Sequence, residues 1–252
     1  MTPYALDARA WQESWDRQQE AYLPDREHRF AALLDAAEAA TDARPLQLLD
    51  LAGGTGSISL RALARHPDAQ VTVLDLDPVL LTIAEASLSG RATVVTADLN
   101  RADWPEALPH RAYDAVLTAT ALHWLDGPRL AELYREIRDV LRPGGVLVNA
   151  DHMPDDALPT LTTRLSDRAR QRRAARHQAG AALSWEGWWA QAAADPVLAP
   201  LVDKRQQIYP TGHSPEWTPP AGWHLDALRA AGFTEAGVLW RNGSDAAVAA
   251  LR

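Results

Sequence analysis

The chain has 252 residues, 47% of them hydrophobic and 23% charged, which suffices for one domain of generous size with a cap. It contains no cysteine, so disulfides, thiolate metal sites, iron–sulfur clusters and a cysteine nucleophile are excluded. The formal net charge of -8 argues against nucleic acid as a partner, because phosphate binding draws on a basic surface.

Residues 1–40 read as two helices, the second over about 25–40 with Phe30, Leu33, Leu34 and Ala37 on one face. The first twenty residues mix Asp7, Arg9, Glu13, Asp16 and Arg17 among apolar ones, so no signal peptide is expected. No stretch approaches the ~20 apolar residues of a membrane span. The expected location is the cytoplasm.

From 45 to 150 short apolar runs alternate with amphipathic stretches, the pattern of strand, crossover helix and parallel strand. The predicted strands are 46–51, 70–74, 92–96, 113–118 and 145–150, and the helices between them are 57–65, 78–88 and 128–141. Pro78 and Pro128 suit first helical turns, and Arg142-Pro143-Gly144-Gly145 reads as the stop and turn before the fifth strand. Residues 155–220 interrupt the alternation with a basic helix, a Trp-rich helix and a Pro-rich loop. The pattern then returns as a helix near 221–231 and strands near 233–241 and 246–251. The reading thus divides the chain into N-terminal helices (1–40), a core (41–152), a helical cap (153–220) and closing elements (221–252).

The most informative stretch is Leu48-Leu49-Asp50-Leu51-Ala52-Gly53-Gly54-Thr55-Gly56-Ser57, an apolar strand entering a glycine-dense turn before a helix. Glycines permit a sharp turn and close ligand approach, and the helix N-terminus offers free N–H groups. Asp75 ends the second strand, where a carboxylate can accept the hydroxyls of a ribose. Asp98 follows the third and can accept from an adenine amino group, while Thr118 and Ala119 end the fourth. Open α/β sheets bind ligands at these strand ends.

The glycine turn, Asp75-Leu76-Asp77-Pro78, Ala97-Asp98-Leu99, Tyr113-Asp114-Ala115-Val116 and Leu141-Arg142-Pro143-Gly144-Gly145 resemble, in order, the motifs of class I S-adenosylmethionine-dependent methyltransferases. The resemblance implies a Rossmann-like α/β fold with a seven-stranded, mostly parallel sheet, and the interruption at 155–220 reads as a helical cap inserted between strands five and six. It also implies S-adenosyl-L-methionine as cofactor, a small-molecule substrate for O-, N- or C-methylation, and a biosynthetic role. Donor binding is thereby assigned to Asp50, Ala52, Gly53, Gly54, Gly56, Asp75, Leu76, Asp98, Leu99, Thr118 and Ala119. Ala52 departs from the family, which usually has glycine there. Asp77 reads as a helix N-cap rather than a ligand contact.

Two other classes stay open. A protein could hold the donor without transferring the methyl group. A nicotinamide-dependent oxidoreductase also uses a glycine loop, but its third glycine would fall at Ser59.

Eight of the ten tryptophans fall in the flanks and strand-end loops: Trp11, Trp15, Trp124, Trp185, Trp188, Trp189, Trp217 and Trp223. Most read as packing in a small cap. Trp11, Trp15 and Trp124 are the candidates for lining a substrate pocket. His123 and His152, just beyond strands four and five, are the candidate bases, with His213 and His224 behind them. Arg164, Arg168, Arg172 and Arg176 form a helical stripe that reads as a solvated face or as a surface for an acidic substrate, a phosphopantetheine arm or an acidic carrier protein. Asp151, His152, Asp155 and Asp156 read as solvated loop residues, and no metal is expected.

Overall fold

The computed structural model describes residues 5–22, 25–41, 45–178, 180, 182–210 and 215–252, apart from the side chains of Tyr22, Arg173 and His177. His213 lies outside the described residues.

Two helices open the chain, α1 (Ala8–Tyr22) and α2 (Arg26–Ala39). The core follows as β1 (Gln47–Leu51), α3 (Ser57–Arg65), β2 (Gln70–Asp75), α4 (Pro78–Leu88), β3 (Ala92–Thr96), β4 (Tyr113–Ala119), α5 (Gly127–Val140) and β5 (Leu141–His152). Helices α6 (Pro159–Gln178), α7 (Trp185–Ala194) and α8 (Ala199–Ile208) intervene before α9 (Ala221–Ala230), β6 (Glu235–Asn242) and β7 (Asp245–Leu251).

The seven strands lie in the order β3-β2-β1-β4-β5-β7-β6. β1 to β5 pair in parallel, and β7 runs antiparallel to both β5 and β6. Strand side chains alternate between two helical layers, as the period of two demands. Leu48, Val71, Val73 and Leu117 face α2, α3 and α4, whereas Leu49, Leu51, Leu74 and Val116 face α5 and α9. Each fully buried leucine contributes about 1.5–3 kcal/mol of burial energy. The sheet therefore holds its strand ends rigidly, which is what a site built on them needs.

Two local features differ from the sequence expectation. The Arg142–Gly145 turn is absorbed into β5, because Leu141 pairs with Tyr113 before the register shifts. Gly144 has φ 76, its N–H donates to Arg252 O, and a Cβ on Gly145 would lie 2.9 Å from Tyr113 O, so backbone crowding requires glycine there. The second difference is α8, which occupies part of the stretch read as a Pro-rich loop. Asp195 starts it: its Oδ1 accepts from Val197 N and Leu198 N, and its carbonyl accepts from Ala199 N.

A third apolar cluster joins Trp11 and Trp15 of α1 to Val79, Leu80 and Ile83 of α4, and to Trp188 and Val202 of the cap. Trp188 meets the rings of Trp11 and Trp15 edge-on at 5.3 and 4.9 Å. Among the described residues, no helix is long and apolar enough to cross a membrane.

Candidate active site

The glycine turn leaves β1 with Ala52 at φ 52, in the left-handed region, followed by Gly54 at φ 56 and Gly56 at φ 76. A non-glycine residue held there costs about 1–2 kcal/mol, so Ala52 is strained where the family resemblance predicts glycine. Asp50 fastens the turn to the helix after it. Its Oδ2 accepts from Ser59 N at 3.0 Å and from Ser59 Oγ at 2.7 Å. Ser59 thus uses a hydroxyl at the position where a dinucleotide fold would place glycine.

Burial drives the Asp50 carboxyl up to about 6, against the two Ser59 hydrogen bonds that favour its ionised form. Its Oδ1 is buried without a hydrogen-bond partner. A cavity of about 30 Å³ adjoins it, lined by Arg26, Phe30, Ala52, Gly53, Ser57 and Ala119 among others. That space holds little more than a water molecule.

Asp75 ties the end of β2 to the same turn. Its Oδ2 accepts from Gly54 N at 2.8 Å, and its Oδ1 accepts from Leu76 N at 2.7 Å and Asp77 N at 2.9 Å. Of the helix-end and loop amides expected to be free, Gly54 N is thus engaged by Asp75 and Ser59 N by Asp50, while Gly53 N and Gly56 N donate to the carbonyls of Leu74 and Gly53. A carboxylate has about four acceptor positions, so Asp75 retains one without rearrangement. Burial, with Asp77 nearby, pushes its carboxyl up to about 6.

Asp98 is half-buried after β3 and accepts from Asn100 N at 2.8 Å. Leu76 and Leu99 are half-buried at the same strand ends. Ala119 borders the cavity, whereas Thr118, one residue earlier on β4 and so on the opposite face, is wholly buried with Oγ1 unpartnered.

Sequence reasoning missed the polar clasp that α1 lays over the turn. Gln12 Nε2 donates to Thr55 Oγ1 and Ser57 Oγ, both at 3.0 Å. Asp16 accepts from Ser57 Oγ at 2.7 Å, Arg26 at 2.6 Å and Arg61 at 3.1 Å. A lone Gln or Asp on an amphipathic helix carries no sequence signal for such a role.

At the ends of β4 and β5, His123 and Asp151 form a buried pair, Nδ1 to Oδ1 at 2.8 Å. Burial opposes ionisation of Asp151, yet His123 and then His152 hold its carboxyl below the usual range. His152 Nδ1 bonds Asp245 Oδ1 at 2.7 Å, and Arg29 bonds the other oxygen of Asp245 at 2.9 Å. Burial works to lower the His152 imidazole, but Asp245 outweighs it and raises the ring above its ordinary value. The two histidine rings lie 6.0 Å apart.

Trp124 stands beside His123 with ring centroids 4.7 Å apart, and Trp217 N donates to His123 O. Trp11 and Trp15 are instead enclosed in the α1–α4–α7 cluster, which accounts for their burial by packing. His224 bonds Tyr134 at 2.7 Å, and burial lowers its ring to about 4, so it stays neutral.

A Rossmann-like core with a glycine turn on β1 and acidic residues ending β2 and following β3 is the class I methyltransferase fold. Residues 48–145 match the family model of a methyltransferase domain. Trans-aconitate 2-methyltransferase from Methylobacterium radiotolerans is 35% identical over 156 residues, covering 62% of this chain and 50% of the relative. Malonyl-[acyl-carrier protein] O-methyltransferase from Halalkalibacterium halodurans is 29% identical over 132 residues, covering 51% and 47%. The chain thus spans about half the length of these curated relatives. The solved human N-acetylserotonin methyltransferase in complex with SAM shares the fold, with a TM-score of 0.55 at 16% identity over 100% of this chain and 60% of that one.

Proposed function

We propose that the chain transfers a methyl group from S-adenosylmethionine to a small organic molecule at an atom that must lose a proton, a hydroxyl oxygen first. The observation that carries this reading is the buried His123–Asp151 pair. Asp151 fixes the ring through Nδ1, and among the described residues Nε2 has no hydrogen-bond partner. A histidine so oriented takes a proton at Nε2 while its carboxylate partner stabilises the imidazolium that forms. His152, whose pairing with Asp245 favours its protonated form, serves as a support for this pair rather than as the base.

The donor, when bound, supplies an electrophilic methyl group on its sulfonium sulfur. Asp75 would hold the ribose and Asp98 the adenine. Asp50 Oδ1 and the Arg26 guanidinium, facing one cavity, match the ammonium and carboxylate of an amino-acid head group. The cavity is smaller than that head group, so α1 and α2 must yield to admit it. Alignment of donor and acceptor is then the main contribution of the protein, since displacement at a methyl carbon is in-line.

A second reading, methylation of a carboxylate, has one observation in its favour. Arg29 is wholly buried beside His152, and its Nε and Nη1 lack partners. The relatives named for trans-aconitate and malonyl-[acyl-carrier protein] agree with such an acceptor. A carboxylate needs no base. Within either reading the enzyme serves cytoplasmic biosynthesis, on a free metabolite or on one presented by an acidic carrier facing α6.

The test is S-adenosylhomocysteine formation against a panel of phenols, amines and polycarboxylates. Turnover of phenols or amines that disappears in His123→Ala supports the base. Turnover of polycarboxylates that survives in His123→Ala but fails in Arg29→Leu selects the second reading. No S-adenosylmethionine binding by calorimetry, with heat on adding NADH, would sink both.

A further inference from the structure

Helix α8 belongs by sequence to the cap, yet its Arg205 reaches the loop between β2 and α4. Arg205 Nε donates to Asp77 Oδ2 at 2.5 Å, with the two side chains only 14% and 5% exposed. The same guanidinium lies 3.9 Å from the Trp189 ring centre and 5.1 Å from that of Tyr209. Asp77 caps α4 by accepting from Val79 N and Leu80 N, and its own N–H donates to Asp75 Oδ1. One residue therefore separates Arg205 from the carboxylate assigned to the ribose.

The Tyr209 hydroxyl keeps its proton above the ordinary range, through burial first and then through Asp75, Asp77 and Asp98. Its ring thus stands in the field of all three strand-end acids. On the other side, Trp189 meets Trp188 at 5.0 Å, and Trp188 meets the α1 tryptophans that flank the Gln12–Thr55 contact. The α1 helix and α8 therefore both pack against α4, the helix that Asp77 caps.

We propose that α8 forms a wall of the donor pocket, with Arg205 positioning the Asp75–Asp77 corner and Tyr209 closing over the adenosine. The proposal rests on the reading of Asp75 and Asp98 as the adenosine carboxylates. An ion pair with two shielded partners holds the corner better than a solvated one. An aromatic face above the nucleoside excludes water from the hydrogen bonds that Asp75 makes.

Calorimetric titration of the full chain with S-adenosylhomocysteine and with 5′-methylthioadenosine, which has only the adenosine end, tests this. Arg205→Gln and Tyr209→Ala should each weaken both ligands about tenfold, the loss expected for one charged or stacking contact. Arg205→Lys, which keeps the charge, should recover most of the affinity, and it also serves if Arg205→Gln melts early. Unchanged affinity in both α8 variants, with loss in Asp75→Ala, overturns the role of α8 and leaves the donor site standing. Unchanged affinity in Asp75→Ala overturns the donor site itself. A tenfold loss for S-adenosylhomocysteine with none for 5′-methylthioadenosine would place α8 at the amino-acid end and likewise overturn the proposal.

Discussion

The Asp151 carboxylate gathers both strand-end histidines: it accepts from the His123 ring at 2.8 Å and from the His152 backbone N–H at 2.8 Å. A third bond, from His123 N at 3.3 Å, makes the contact with the β4 loop two-pronged. The tautomer and the ring angle of His123 are thereby set by one residue on β5.

Asp151→Asn should lower kcat by about 10²–10⁴, the range for losing a positioned base, while leaving donor affinity within threefold. His123→Ala should match it, and the double variant should be no worse than either. Steady-state rates with calorimetry of S-adenosylhomocysteine make the comparison. Additive losses would mean that the two residues do not act as a pair.

Donor affinity should increase as pH rises through about 6, because Asp75 must be ionised to accept ribose hydroxyls and its carboxyl is held up to about 6. The apoprotein should respond oppositely through Asp50. Its folded value, about 6, lies above the unfolded one of ~3.9, so the folded state binds more protons between those limits. This contribution to stability is complete below pH ~4 and is lost as pH rises through about 6. Asp50→Asn should flatten that part of a Tm-against-pH curve; an unchanged slope would assign the dependence to other groups.

In the glycine turn, Gly53→Ala would put a Cβ 2.7 Å from Asp50 Cγ and should destabilise the protein by about 1–3 kcal/mol, as overpacking does. Ala52→Gly acts the other way. It removes about 1–2 kcal/mol of left-handed strain against about 0.5–1 kcal/mol of added chain entropy. Urea unfolding should show a net gain of up to about 1.5 kcal/mol, and a clear loss would mean that the Ala52 methyl has a packing role.

Trp188→Ala should cost about 3–5 kcal/mol of cap stability, since its ring is wholly buried between α1 and the cap. Hydrogen exchange resolves where the loss falls. Protection should drop in α1 and α7 and stay intact in β1 and β4; a uniform drop would mean that the cap and core unfold as one unit.

The core was readable because its apolar runs are continuous and its glycines and prolines sit at element ends, so 57–65 and 78–88 are helices with the predicted bounds. The strand-end acids were visible for the same reason. Ser59, Gln12, Arg26 and Arg29 were not, because a polar residue on an amphipathic helix looks solvated until the packing is known. Trp188 and Trp189 illustrate the limit well. Adjacent on one helix, their rings meet edge-on, yet one packs against α1 and the other against Arg205, and only the tertiary contacts reveal which. Helix α8 was missed because Ala199-Pro200 reads as loop unless the Asp195 turn before it is recognised.

Asp245 is the first residue of β7 and pairs in register with His152, the last of β5. The antiparallel return strand therefore delivers a carboxylate from the far end of the chain to the rim where β4 and β5 finish. The segment matching the family model stops at residue 145, before Asp151, His152 and Asp245. The carboxylates that orient the two strand-end histidines thus lie outside the matched segment, whereas His123 itself lies within it.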